Sequence, residues 1–471
     1  MVILQSINRF INFKPEIYDN YGMKIRMNDI NKKLIATILP VAIENSLQTV
    51  SSIIIMAMIG RLSVVAISSM GISLVVMQVI LAIFRGIALG EMVFVSRYYG
   101  EGNYKKMRVV INHTILTSLI VAIILFLLLF FYSKELLFIF NVNSEILITT
   151  KEYLKIIAYG IPFLASIIII GGAFQGTGNA FKSMNIILLM NVIYTILSYI
   201  FIFGKFGVQS FGLKGAAIVM VIAQLISAII AVYSINVKKG IFKGCLNNIT
   251  LKLDFNLIKK VYFVGISASL ESVLWLIAII IVTAVILDYG PITFAAYQVA
   301  TNAEAISYMP AFGFGVAATT LISQAIGAKD NNLAKVYLVQ MIKGVILLTS
   351  LSVIAFIVAP EKIIMVLTNN EEVIKLGGKY LFIMAFVQIP LNLYGLFIGA
   401  LRGMRIIVIP IMISVVGLWC IRIPLILIAV YYFKVSVIVS WVIIGVDILF
   451  RFILSAYFLK KKLKDMQNIK G

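Results

Sequence analysis

The sequence predicts an all-α polytopic membrane protein: twelve transmembrane helices in two six-helix lobes related by a parallel pseudo-two-fold repeat. Three observations carry that expectation. Hydrophobic residues make up 62% of the 471 and charged residues only 13%, whereas soluble domains carry roughly 25% charge. Apolar stretches such as Val109 to Tyr132 exceed the roughly 20 residues with which a helix crosses a bilayer. The chain also matches itself at a single offset of 227 positions.

The first two observations fix the element type. Inside lipid, backbone N–H and C=O groups find partners only within their own segment or in a closed barrel, and the alternating ten-residue segments of a barrel are absent. Hydropathy, with breaks at Gly, Pro and charge clusters, places twelve spans at 34–59, 63–96, 107–132, 149–176, 184–204, 211–236, 257–287, 291–323, 334–359, 371–400, 407–430 and 435–459. Pro40, Pro162, Pro310, Pro390, Pro410 and Pro424 fall inside these spans, where each frees a carbonyl and permits a bend.

The offset defines the lobes. It aligns Glu44 with Glu271, Gly86 with Gly313, Ser96 with Ser323, Gly100 with Gly327, Gly172 with Gly399 and Gly176 with Gly403. The expected organisation is an N-terminal tail (1–33), a first lobe (34–236), a basic linker (237–256), a second lobe (257–459) and a basic C-terminal tail (460–471). Six spans per lobe start both lobes on the same side, so the repeat is parallel and its axis runs along the membrane normal.

The formal net charge of +21 has its explanation in this layout. With the N-terminus inside, 26 of the 40 Lys and Arg residues fall on the inner side, 6 on the outer side and 8 within spans. The positive-inside rule then places both termini in the cytoplasm, in the inner or plasma membrane, with the basic groups facing anionic lipid. No folded soluble module remains to bind nucleic acid. The chain opens without a short basic region followed at once by a cleavable apolar core; residues 1–22 form an interfacial segment, or translation begins at Met23.

Ionisable residues inside spans need a reason, since each costs roughly 2.5 to 3.5 kcal/mol facing lipid. Glu44, Arg85, Glu91, Glu271, Glu304, Lys343, Arg422, Asp447 and Arg451 are such residues. Asp447 and Arg451, one turn apart, are expected to satisfy each other. Glu44 and Glu271 lie about 15 Å into spans 1 and 7 at 1.5 Å per residue, and Glu304 reaches a similar depth from the other side of span 8. A carboxylate at that depth calls for a proton or a cation. Glu271, Glu304 and Glu44 are therefore the candidate cation-coupling residues. Gln298 and Asn302 near Glu304, together with Gln388 and Asn392 in span 10, are the candidate substrate-binding residues. His113 is expected near the interface as a solvated group, and GTGNA (176–180) as a turn, since it lacks the strand and the Lys-Ser or Lys-Thr pair of a phosphate loop.

Two lobes around polar midplane groups suit a secondary transporter that works by alternating access. An enzyme is not expected: one histidine and two isolated cysteines supply neither a nucleophile with its base nor a metal set. No cofactor is implied beyond a coupling ion, H+ or Na+.

The motifs resemble a known family. VSRYYGEGNYKKMRVV (95–110) with LISQAIGAKDNNLAKVYL in the second half, Gln175 to Val219 with ALRGMRIIVIP (400–410), and LPVAIENSLQTVSSIIIMAMIGRL in span 1 are similar, in order and spacing, to the multidrug and toxic compound extrusion transporters. The resemblance covers about residues 34–460. It implies an antiporter, expected as a monomer, that exports organic, often cationic, compounds in exchange for H+ or Na+; the alternative is a flippase for a lipid-linked saccharide or other amphipathic lipid. Two departures stand out. Where many members have an aspartate in helix 1 this chain has Ile55, and where another is common in helix 5 it has Ser198. In some members acidic residues in helices 7 and 8 contribute to a cation site, so the resemblance moves the expected ion site toward Glu271 and Glu304, with Na+ there if sodium is the ion.

Overall fold

A computed structural model describes residues 27–138, 140, 143–236, 240–243, 245 and 254–468. Most of the N-terminal tail, with the alternative start at Met23, and most of the basic linker lie outside the described residues. The helices are α1 (Met27–Gly60), α2 (Val64–Gly100), α3 (Tyr104–Phe138), α4 (Ser144–Ala158), α5 (Ile161–Gly176), α6 (Ala180–Phe203), α7 (Gly212–Ile235), α8 (Phe255–Leu287), α9 (Pro291–Gly327), α10 (Asn331–Val358), α11 (Pro360–Met365), α12 (Glu371–Ala385), α13 (Gln388–Gly403), α14 (Val408–Val415), α15 (Ile423–Leu427) and α16 (Val437–Asn468). Two π-helical stretches, Val416–Arg422 and Ile428–Tyr432, flank α15. Among the described residues ten helical spans are long and apolar enough to cross a membrane, and two bent pairs bring the number to twelve.

Spans 4 and 10, expected as single helices over 149–176 and 371–400, are broken. α4 and α5 meet at 53°, and α12 and α13 at 54°. Both breaks follow from backbone chemistry at one place in the repeat, Tyr159 and Gly160 in the first half and Phe386 and Val387 in the second. Proline stands just past each break, Pro162 and Pro390, and removes an N–H donor where the helix would have continued.

The 227-residue offset recurs in turn geometry. Gly102 and Lys329 both lie in the left-handed region, at φ 69° and 61°, and so do Gly178 and Arg405, at 82° and 61°. Asn103 and Asp330, again equivalent, each accept the backbone N–H three residues on, from Lys106 (3.1 Å) and Leu333 (2.8 Å). Such caps satisfy donors that have no partner inside the helix. GTGNA forms the turn between α5 and α6.

The chain falls into two compact units, Met1–Ala42 with Leu270–Gly471, and Ile43–Ser269. The cuts at Ala42 and Ser269 are themselves 227 residues apart and fall inside α1 and α8. Compared with lobes bounded at 34–236 and 257–459, each unit therefore takes in the leading part of the other half's first helix. In the unit with the second half, Ile30 and Leu34 of α1 join the core formed by Phe314, Ala317, Leu321, Leu393 and Leu401.

In both units the transferred segment packs against a glycine. A Cβ at Gly313 of α9 would stand 2.7 Å from the Ile38 carbonyl oxygen, and a Cβ at Gly86 of α2 would collide with the Gly265 carbonyl and the Ser269 N–H. Ile38 and Gly265 are equivalent under the offset. Only glycine permits backbones to approach this closely, a standard device for helix packing inside membranes.

Candidate functional site

Three of the predicted carboxylates sit in three separate networks. Glu44, partly buried in the unit Ile43–Ser269, accepts from Ser183 Oγ (3.2 Å) and Gln175 Nε2 (3.4 Å). Arg85 is within electrostatic reach of it and donates to Gln48 Oε1 (3.0 Å). Glu271, in the other unit, accepts from Arg402 and from Ser414 Oγ (2.7 Å). Both pairs, Glu44 with Gln175 and Glu271 with Arg402, are separated by 131 residues and coincide under the repeat. The same clamp thus closes on a neutral amide in one half and on a guanidinium in the other.

Glu304 is buried on α9. Tyr380 of α12 donates to Oε2 (2.7 Å) and Gln388 of α13 donates to Oε1 (2.6 Å). The break between α12 and α13 places these donors: Gln388 is the first residue after it. Both are neutral, so the carboxylate has hydrogen bonds but no ion pair of its own. One turn on, Asn392 Nδ2 donates to Thr349 Oγ1 (2.9 Å) and faces the Ser307 carbonyl (3.5 Å). The Ser307 hydroxyl and Gln388 Oε1 are buried without partners. The predicted Gln388 and Asn392 therefore gather with Glu304, whereas Gln298 and Asn302 are exposed on α9 and point away from it.

Beside Glu304 lies a charged cluster of which the sequence disclosed only part. Arg451 forks onto Asp447 through Nε (3.0 Å) and a terminal nitrogen (2.8 Å), as the i,i+4 spacing predicts. Arg422, from the π-helical stretch, adds a second contact to Asp447 (2.8 Å) and is within electrostatic reach of Glu304. Two guanidiniums thus share one carboxylate. Under the 227 offset Met77 stands where Glu304 does, so the first half has no counterpart of this carboxylate.

His113 departs from expectation. It is buried, with Nδ1 unpartnered, because α3 starts at Tyr104 and carries it nearly three turns into the helix. Ile55 and Ser198, at the positions of the missing family aspartates, are both buried. Among the described residues no group of three His, Cys, Asp or Glu is placed to hold a metal ion.

The MatE family model matches residues 40–200 and again 267–428, and the two matches begin 227 positions apart. The chain belongs to the MatE family. It is a multi-pass membrane transporter and not an enzyme. This MatE protein is 28% identical over 445 residues to a probable multidrug resistance protein NorM of Thermotoga maritima, covering 94% of this chain and 95% of the relative. It is 22% identical over 414 residues to the probable multidrug resistance protein YoeA of Bacillus subtilis, covering 86% and 88%. Its fold is that of a MOP superfamily transporter from Pyrococcus furiosus, at a TM-score of 0.84 and 17% identity over 93% of this chain and 97% of that one. A multidrug resistance MATE family transporter in an outward-facing conformation matches equally well, at 0.84 over 93% and 96%.

Proposed function

We infer that the protein is a secondary active antiporter that exports organic, often cationic, compounds in exchange for H+ or Na+. The observation that carries this reading is Glu304: a buried carboxylate held by two neutral donors, with the unpartnered oxygens of Gln388 and Ser307 close by. Such a group takes up a proton or a cation and releases it when its surroundings change, which is the chemistry of coupling. Glu271 has a guanidinium as standing partner and serves as a structural clamp; Glu44, with neutral partners, is the second coupling candidate. The family membership and the multidrug resistance names of the relatives support an organic substrate.

In this reading the six-helix lobes 34–236 and 257–459 rock about a midplane site with both termini in the cytoplasm, and a monomer suffices. Gln388 and Asn392 lie where a substrate and the ion would compete. The test is transport of a broad panel of compounds into or out of proteoliposomes under separately imposed proton and sodium gradients. The wild type moves substrate against one gradient and Glu304→Gln does not. Absence of movement under both gradients would overturn the reading, and gradient-independent transfer of a lipid-linked saccharide would identify a flippase instead.

A further inference from the structure

Glu91 of α2 takes no part in the networks described so far. It is completely buried, and both carboxylate oxygens lack a hydrogen-bond partner. Among the described residues no cation pairs with it. A bare carboxylate anion in such a place is expensive, and without partners the affordable form is the protonated one.

Its location gives that proton a consequence. Gly90, the preceding residue, is one of the points at which the leading part of α8 packs on α2: a Cβ there would collide with the Val261 carbonyl and stand 3.1 Å from the Gly265 N–H. Tyr262 of α8 and Cys245 of the connecting segment lie within electrostatic reach of Glu91. The corresponding residue in the other half, where the leading part of α1 packs on α9, is Ala318. Two docked segments thus meet equivalent glycines, Gly86 and Gly313, and one of them also covers a buried glutamate.

We propose that Glu91 is a proton-binding site whose occupancy holds residues 255–269 docked on α2. With the proton in place the carboxyl is neutral under the docked segment. When the proton leaves, the anion requires water, and the segment must lift to admit it. The ligand is a proton and not a metal ion, because among the described residues no second carboxylate converges on Glu91 to hold one. The other groups that act there are few. α3 carries Arg108, whose Nε donates to the Ile241 carbonyl (2.9 Å) and whose charge acts on Cys245; the same helix carries the buried His113, which serves as a control. α8 contributes Tyr262, and the connecting segment Cys245. α5 carries no charged side chain, and α4 meets α2 at the other end, where Ser69 Oγ faces the Ile146 carbonyl (3.5 Å). The proposal is independent of the coupling role given to Glu304.

Hydrogen exchange of the full-length protein in nanodiscs between pH 5.5 and 7.5 tests it, with residues 27–42 as internal reference. Intrinsic exchange rates cancel in the ratio of the two segments, and only one of them covers a glutamate. An exposed glutamate is ionised above about pH 4.3, so each opening of 255–269 releases one proton. Its relative protection then falls about tenfold per pH unit. In Glu91→Gln, and in Glu91→Ala, which reproduces the other half, the ratio becomes independent of pH. His113→Gln, giving the residue type found at position 340, leaves the slope intact. A flat ratio in the wild type, an unchanged slope in both Glu91 variants, or a slope lost with His113→Gln alone would each overturn the proposal.

Discussion

Arg402 closes on Glu271 from the position that Gln175 occupies relative to Glu44, so one inherited contact is an ion pair in one half and a neutral hydrogen bond in the other. The first prediction comes from that difference. Arg402→Gln leaves Glu271 charged with only Ser414 to hold it and lowers stability by about 2 kcal/mol, less than the 3 to 5 typical of a fully buried pair because both side chains retain some exposure. The double variant Glu271→Gln/Arg402→Gln recovers most of that loss, since it removes both charges together and leaves neither without its partner. Thermal unfolding in detergent over the complete double-mutant cycle measures it.

Asp447 is the shared acceptor of Arg422 and Arg451. Asp447→Asn strands two buried guanidiniums and destabilises by about 3 kcal/mol or more, with loss of folded protein in size-exclusion profiles.

Tyr380→Phe keeps the ring packed between Tyr297 and Trp441 and removes only the hydroxyl donated to Glu304. A hydrogen bond to a charged group contributes about 1.5 to 3 kcal/mol, so ion-driven transport falls roughly tenfold or more while the melting temperature changes little. Gradient-driven flux and a melting curve on the same preparation separate the two effects.

Gly313→Ala places a methyl group against the Ile38 carbonyl, and Gly86→Ala places one against Gly265 and Ser269. Each costs about 1 to 3 kcal/mol as overpacking and loosens the docked segment on its own side. Hydrogen exchange of residues 27–42 rises in the first variant and that of residues 255–269 in the second.

Lys329 holds a left-handed backbone that Gly102 adopts freely in the first half. Lys329→Gly relieves a strain of about 1 to 2 kcal/mol and gives back about 0.5 to 1 as unfolded-chain entropy. The net gain of about 0.5 to 1 kcal/mol is readable as a small rise in melting temperature.

Much of this architecture was legible because the repeat is written in residue types whose roles are geometric. Gly86 and Gly313 are fixed by backbone contact, and the offset they share led directly to Glu44 and Glu271. The partner of Glu271 was also within reach: Arg402 precedes Gly403 as Gln175 precedes Gly176, and aligning polar residues as well as glycines would have found it. Gln298 and Asn302 do not gather with Glu304 because proximity in sequence is not proximity on a helix. Six and two residues before Glu304, at about 100° per residue, they fall far from its direction, whereas Gln388 arrives from another helix at a break. The passage of α1 and α8 from one compact unit to the other leaves no trace in hydropathy, because a continuous apolar helix reads alike on both sides of the boundary.

That passage gives the two symmetric dockings different histories during synthesis. When residues 255–269 are made, α2 has already been translated and is available to receive them. Residues 27–42 emerge near the start, and Gly313 follows some 270 residues later. At about 5 to 20 residues per second the leading part of α1 therefore waits on the order of 15 to 50 seconds for its partner. The unit Ile43–Ser269 is complete with about 200 residues still to be translated, while the other closes only when the second half has been made.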